Sequence, residues 1–351
     1  MQDLLRQVSR SFYLTLRMLP RCINPQLSLA YLLARASDTV ADTELIDARR
    51  RLEALLQIRK SIQEACEGEK PAIPDLGDLS AAQKMIAGVA NSAERTLLEN
   101  LESIINALRE FSADDRRRIR NVLDTITQGQ EMDLQRFQTA TADRIIALDT
   151  HADLDAYTYS VAGCVGEFWT YMCRAHVFPD AALDDSALLA NGIRFGKGLQ
   201  LVNILRDLPR DLRQGRCYIP QDELSKHGLQ PRDLLDAAQM DRFRPLYEDY
   251  LRQTENYLAA GWQYITMLPV RWMRIRLACS WPILIGVRTV EELRCSNVLD
   301  DRSHIRISQL DTWRLLLRTI VFYPTPKTWN RLFDSVRNRA SGQPKGESPI
   351  S

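Results

Sequence analysis

Histidine is scarce. The four in the chain, His151, His176, His227 and His304, lie too far apart to show metal-ligand spacing, which argues against a histidine-built metal centre and leaves them surface or loop roles. The seven cysteines, Cys22, Cys66, Cys164, Cys173, Cys217, Cys279 and Cys295, include no CxxC pair, so the set fits a reducing, cytoplasmic setting better than a disulfide framework. Excess charge of either sign is missing too: 46 Lys and Arg face 45 Asp and Glu, and no global basic field calls for nucleic acid. There is no GxGxxG or P-loop; Gly192 and the Gly196-Lys197-Gly198 run sit inside a helical pattern and carry little weight as a nucleotide site. The longest apolar stretches, such as Leu277–Val287, fall well short of the roughly 18 residues of a membrane span. The opening MQDLLRQVSRSFYLTL, charged at Asp3, Arg6 and Arg10, reads as part of the fold rather than a secretory leader.

Alternating strand patterns are absent as well, and what remains is helical period nearly throughout. Helices are predicted over 24–43, 45–66, 80–112, 114–138, 153–177, 183–213, 231–268, 270–296 and 308–337, with turns at Pro20, Pro71, Pro74, Pro179 and Pro220. Several of these exceed the usual length and imply long core helices or hidden breaks. The fold class is all-α: one helical bundle over residues 1–340, with a polar loop near 67–79 and a tail, 341–351, too poor in apolar residues to fold. Trp169, Trp262, Trp272, Trp281, Trp313 and Trp329 are expected in the core. Arg116, Arg117, Arg118 and Arg120 read as a solvated helix face that can assist a peripheral membrane contact.

Two acidic pairs stand out against this background: Asp38 and Asp42 in LAYLLARASDTVAD, and Asp207 and Asp211 in LQLVNILRDLPRD. Like charges four residues apart share a helix face and repel by about 0.2–0.5 kcal/mol even when solvated. Their surroundings are mostly apolar, so the carboxylates are expected to face an enclosed space where a hard cation relieves them. Mg²⁺ suits such a site, since it takes oxygen ligands and is commonly held by carboxylates together with substrate phosphates. Gln200, Asn203, Asp207 and Asp211 fall on one narrow face flanked by Leu199, Val202, Leu205 and Leu208, with Arg206 beside the stripe. Tyr31 and Arg35 recur on roughly the face of Asp38 and Asp42. The competing reading of each pair alone is a solvated, ion-paired helix face.

These segments, with SRSF at Ser9–Phe12, MDLQRF at Met132–Phe137, YTYSVAGCVG at Tyr157–Gly166 and the run from Leu199 to Pro220, resemble the squalene/phytoene synthase family within the all-α isoprenoid synthase fold. The resemblance spans roughly residues 8–300. It implies a helical bundle around a central cavity in which two prenyl diphosphates are joined head to head. It also implies that Asp38, Asp42, Asp207 and Asp211 bind Mg²⁺, with Gln200 and Asn203 on the same wall. Arg10, Arg35 and Arg206 would hold diphosphate, and Tyr31 and Tyr157 would sit near the reacting carbons, Tyr157 assisting proton transfer. Two departures accompany it: Arg210 stands where the family usually has an acid, and Pro209 predicts a kink or helix end that displaces Asp211. In the third segment, GQEMDL, Glu131 and Asp133 can face the cavity without an assigned role.

The opening motifs look most like bacterial squalene synthases. That implies farnesyl diphosphate as substrate, a cyclopropylcarbinyl diphosphate intermediate, NADPH as reductant, and a peripheral membrane contact for product release. Arg213–Pro220, with Gly215, Arg216 and Tyr218, reads as a flexible cover where the nicotinamide would enter. A phytoene or dehydrosqualene synthase, with no reduction step, stands as the alternative, and a non-catalytic lipid-binding or assembly subunit as the alternative of another class.

Overall fold

The structure, a computed structural model, describes residues 2–9, 12–43, 45–80, 89–300 and 307–337; Arg10 and the 341–351 tail lie outside them. In chain order the helices are α1 (Gln2–Ser9), α2 (Phe12–Met18), α3 (Asn24–Ala41), α4 (Ala48–Glu67), α5 (Val89–Glu99), α6 (Leu101–Ala107), α7 (Ala113–Arg136) and α8 (His151–Thr158). After them come α9 (Cys164–His176), α10 (Asp185–Arg213), α11 (Gln221–Lys226), α12 (Met240–Met267), α13 (Met273–Cys295), α14 (Gln309–Phe322) and α15 (Pro326–Arg337). Short polar side chains start the long ones by accepting a first-turn N–H: Asp47 from Arg50, Ser112 from Asp115, and Asp184 from Ala187.

The expected breaks appear where the chemistry demands them. Pro324 and Pro326 divide the predicted 308–337 helix into α14 and α15, and Pro231 opens a 3₁₀ turn, Pro231–Leu235, ahead of α12. The predicted 153–177 helix passes through a π segment, Tyr159–Gly163, between α8 and α9. Such a segment widens a helix locally and is frequent at functional sites. Within the predicted 80–112 helix, residues 81–88 lie outside the described set, and α5, α6 and a 3₁₀ turn at Leu108–Glu110 follow.

At the centre, α10 packs along α12 and against α9 and α13, while α7 packs against α3, α4 and α9. The contact of α10 with α9 and the π segment is made by main chain. A Cβ on Gly166 would stand 1.9 Å from the Gly192 carbonyl oxygen, and one on Gly196 would stand 2.1 Å from that of Ala162. The glycines near 192–198 are thus consumed in helix packing.

Of the kink or helix end expected at Pro209, the end does not occur, and α10 runs through to Arg213. Proline at 209 cannot donate to the Leu205 carbonyl, and the Tyr247 hydroxyl from α12 donates to that oxygen instead, at 3.1 Å. The lost helical bond is replaced, and Asp211 stays on the helix.

The segment after α10 also differs from the predicted flexible cover. Strands β1 (Ile146–Ala147) and β2 (Arg216–Cys217) pair in parallel, and Ile146 and Leu148 donate to the carbonyls of Gly215 and Cys217 at 2.8 and 3.0 Å. Gly215 makes the turn at φ +80°, where a Cβ would also strike the Thr141 backbone at 2.5 Å. Cys217 and Ile219 are fully buried, so the segment is a fixed part of the wall. The arginine cluster is ion-paired: Arg117, Arg118 and Arg120 pair with Asp114, Asp115 and Glu67, and Arg116 donates to the Phe111 carbonyl. His176 also joins Asp115, at 2.7 Å, rather than taking a surface role.

Candidate active site

Helices α3, α7 and α10, the π segment and the strand after α10 enclose two adjoining cavities. One, of about 240 Å³, is polar and lined by Asp42, Gln130, Asp133, Tyr157, Gln200, Arg216 and Tyr218. The other, of about 260 Å³, is apolar and lined by residues such as Leu27, Tyr31, Ile126, Phe168 and Trp169. Asp38 and Val161 line both, so the two form one cleft with a charged end and a greasy end.

Asp38 and Asp42 sit on the last turn and C-cap of α3. Burial, first, and then the charge on Asp42 push the Asp38 carboxyl up to about 6, against Arg35 and a hydrogen bond donated by Gln130 Nε2. The other side-chain atom of that amide, Gln130 Oε1, is buried without a partner. Asp42 opens to solvent within the cleft, yet protein on most sides raises its carboxyl, offset by Arg216, Arg35 and Arg210. Arg35 itself is ion-paired to Glu94 on α5. Tyr31 lies one turn further in, its hydroxyl 3.5 Å from the Val8 carbonyl.

On the facing wall, Gln200 reaches the polar cavity while Asn203 is exposed. Arg206 forks onto Asp207, with Nε at 2.8 Å and Nη2 at 2.7 Å from its two carboxylate oxygens, and Nη2 also donates to Asn203 at 3.2 Å. One turn on, burial and the Asp207 charge raise Asp211 to about 7, against Arg216 and Arg210. Arg210, the departure noted in the sequence, therefore offsets an aspartate on each wall.

Between the walls lies a group that sequence reasoning did not assemble, with Asp133 left without a role and Arg216 and Tyr218 expected in a flexible cover. The Tyr218 hydroxyl donates to both oxygens of Asp133, at 3.0 and 3.2 Å, and Arg216 stands 3.8 Å from the same carboxylate. Burial raises Asp133 to about 6 against Arg216 and Tyr218. Burial also opposes the Arg216 charge, but Tyr218, Asp133 and Asp42 outweigh it and hold the guanidinium protonated. Tyr157 stacks on Tyr218 with centroids 4.8 Å apart and shares a hydrogen bond with it. Burial and the Asp133 charge keep the Tyr157 phenol well above its ordinary value. One signal for this group was present: Arg216 and Tyr218 alternate with buried Cys217 and Ile219, the period of a strand with one face toward the cleft.

The arrangement brings Asp38, Asp42, Tyr157 and Gln200 to one cavity and places Asp211 within electrostatic reach of it. Asn203, Arg206 and Asp207, between Gln200 and Asp211 on α10, do not line that cavity, Asn203 being exposed and the other two half-buried; Arg10 lies outside the described residues. Among the described residues, no three His, Cys, Asp or Glu side chains converge to hold a metal unaided. The donor set does fit a hard cation completed by phosphate oxygens: carboxylates raised by burial and by their mutual repulsion, with arginines offsetting only part of it, beside the unpartnered Gln130 oxygen. Among the described residues, Gly192, Gly196 and Gly198 are packed against neighbouring helices and the 213–220 segment is pinned, so neither serves as a dinucleotide cradle.

The profile of the squalene/phytoene synthase family matches residues 5–310. A bifunctional lycopene cyclase/phytoene synthase of Blakeslea trispora is 30% identical over 230 residues, covering 64% of this chain and 33% of that protein. A chloroplastic phytoene synthase of an Oncidium hybrid cultivar is 28% identical over 160 residues, 46% of this chain and 34% of its own. The chain thus spans about a third of the length of these curated relatives. A solved ligand complex of TcSQS superposes with a TM-score of 0.73 at 18% identity, covering 99% of this chain and 92% of that one, a likeness of fold.

Proposed function

We propose, for a chain that belongs to the squalene/phytoene synthase family, that it joins two molecules of farnesyl diphosphate head to head through a cyclopropylcarbinyl diphosphate and reduces the product to squalene with NADPH. The observation that carries the condensation is the single cleft whose polar and apolar ends meet at Asp38. A prenyl diphosphate has the same division, and its reacting C1 lies at the junction.

In this reading the C1–O bond of the first substrate breaks and pyrophosphate leaves with the electron pair. Mg²⁺ held by Asp38, Asp42, Asp207 and Asp211 would supply the positive charge that makes this departure possible. Arg216 and Arg210 act electrostatically on an aspartate of each wall and Arg35 on those of the first, so each offers charge to the leaving oxygens. Arg206 would exchange its fork on Asp207 for phosphate. The allylic cation is attacked by the double bond of the second substrate, and loss of a proton closes the three-membered ring. Tyr157, with its phenol held neutral, acts as a relay: its oxygen receives the proton as its own passes toward Tyr218 and Asp133, or to pyrophosphate. The apolar end shields the cation from water and gives it aromatic faces in Tyr31, Phe168 and Trp169. NADPH, when bound, would supply the hydride that converts the rearranged cation to squalene.

A phytoene synthase is the second reading, favoured by the names of the curated relatives, which are phytoene synthases. The test supplies farnesyl and geranylgeranyl diphosphates separately with Mg²⁺, with and without NADPH, and identifies products by mass. Farnesyl diphosphate is expected to give the cyclopropylcarbinyl diphosphate or dehydrosqualene alone, and squalene with NADPH. Consumption of geranylgeranyl diphosphate only would turn the assignment to phytoene. No pyrophosphate release from either would remove the catalytic reading and leave a lipid-binding subunit.

A further inference from the structure

Helix α14 carries five large apolar residues out to solvent. Leu310, Trp313, Leu317, Ile320 and Val321 are between 49% and 70% exposed, whereas Leu316, Thr319 and Tyr323, on another side, are buried. At 3.6 residues per turn the five fall in an arc of about 100°, beside the buried face and not part of it. Val270 and Met273 extend the patch: both are exposed, and the Tyr323 hydroxyl ties the end of α14 to the Val270 carbonyl at 2.5 Å. Of the six tryptophans expected in the core, Trp313 is the exposed one.

Cations follow the margin of this patch. Arg314 and Arg318 come next around the helix and open into a groove of about 500 Å³ between α14 and its neighbours. In that groove Arg288 is paired with Glu291 and Glu292, and Arg314 with Asp311, while Arg318 has no ion-pair partner among the described residues. Exposed Arg271 lies between Val270 and Met273, its guanidinium 4.8 Å over the Trp272 ring.

We propose that this face of α14, with Val270 and Met273, rests in the headgroup region of an anionic lipid bilayer. An apolar stripe with a tryptophan on it and arginines along its edge is the pattern of a helix lying in a membrane interface. No helix among the described residues is long and apolar enough to cross a membrane, so the contact is superficial. The chain segments flanking α14 and α15 outside the described set, 301–306 and 338–351, hold only Ile305 and Ile350 as large apolar residues, too few to cover five. A second copy fits less well, because a two-fold contact would bring Arg271, Arg314 and Arg318 of both copies, six arginines, to the rim of one interface. The inference stands on the surface alone and is independent of the product.

The test is flotation of the full chain with vesicles of phosphatidylcholine and phosphatidylglycerol in equal parts, and with phosphatidylcholine alone. Wild type is expected to float with the anionic vesicles, and Leu317→Glu to lose partitioning by about tenfold or more. Its helical circular dichroism and its turnover in detergent are expected to stay unchanged. The vesicle-induced blue shift of tryptophan emission is expected to vanish in Trp313→Phe. Failure of wild type to float, equal flotation of Leu317→Glu, or equal flotation on phosphatidylcholine alone would overturn the proposal. So would a wild-type dimer that ignores vesicles and is dissociated by Leu317→Glu, which would make the patch an interface between copies.

Discussion

On α3 the arginine one turn before the first aspartate, Arg35, is ion-paired to Glu94, and the carboxylate it precedes is held by an amide, Gln130. On α10 the adjacent arginine, Arg206, forks directly onto Asp207. The two walls share the same four-residue spacing, yet the first keeps its charge available inside the cleft and the second has half of its charge already matched. Spacing therefore fixes which groups share a face, and the neighbouring cation decides how much charge is left to offer. A metal-phosphate ligand would meet the first wall as it stands and must compete for Arg206 at the second.

The largest effect is expected from the wall with unmatched charge. Asp38→Asn should lower turnover by about 10²–10³-fold, measured with saturating Mg²⁺ and prenyl diphosphate. Its melting temperature without ligand should not fall. Burial and Asp42 raise the Asp38 carboxyl to about 6, so its ionised form opposes folding and that opposition grows as pH rises from the unfolded value through about 6. A large drop in melting temperature together with unchanged turnover would show that Asp38 serves the fold and not the site.

Arg206→Gln sharpens the contrast. Turnover should drop by about tenfold, because a phosphate donor is gone, while Mg²⁺ binding to the ligand-free chain tightens as Asp207 is released. Calorimetric titration reads the second quantity; weaker Mg²⁺ binding would mean that Arg206 assists the carboxylate instead of competing with the metal. The smallest change in turnover, within about twofold, is expected for Tyr247→Phe, which leaves the buried Leu205 carbonyl unsatisfied at a cost of about 1–3 kcal/mol. Thermal unfolding measures that cost. An unaltered melting temperature would show that the helix tolerates Pro209 without this bond.

Much of the site was legible because helices announce themselves by period. Asp38 with Asp42, and Gln200 with Asn203, Asp207 and Asp211, are pairs whose spacing alone puts them on common faces, and the structure keeps them there. The passage of α10 through Pro209 was not legible, since the oxygen freed at Leu205 finds its donor 42 positions away in Tyr247. Asp133, Arg216 and Tyr218 were each visible near the cleft, but not their assembly into one group. Their link joins α7 to a two-residue strand 85 positions on from Asp133 to Tyr218, and only the tertiary pairing of β1 with β2 turns Arg216 and Tyr218 toward the acid. Trp313 misled for a different reason: composition treats every tryptophan as core, and exposure depends on which face of α14 the neighbouring helices leave uncovered.

The glycine contacts between α9, the π segment and α10 set a dimension. Val161 and Gln200, on opposite sides of that seam, are spaced by peptide atoms pressed together at Gly166, Gly192 and Gly196, and peptide atoms have no rotamers with which to yield. The breadth of the cleft between Val161 and Gln200 is therefore a hard gauge, insensitive to trimming of side chains. Its depth is a soft one, bounded by Leu16, Tyr31, Phe168 and Trp169, each of which can be exchanged for a smaller group. A chain built this way can change the depth of its apolar cavity while leaving the seam between α10 and the π segment untouched.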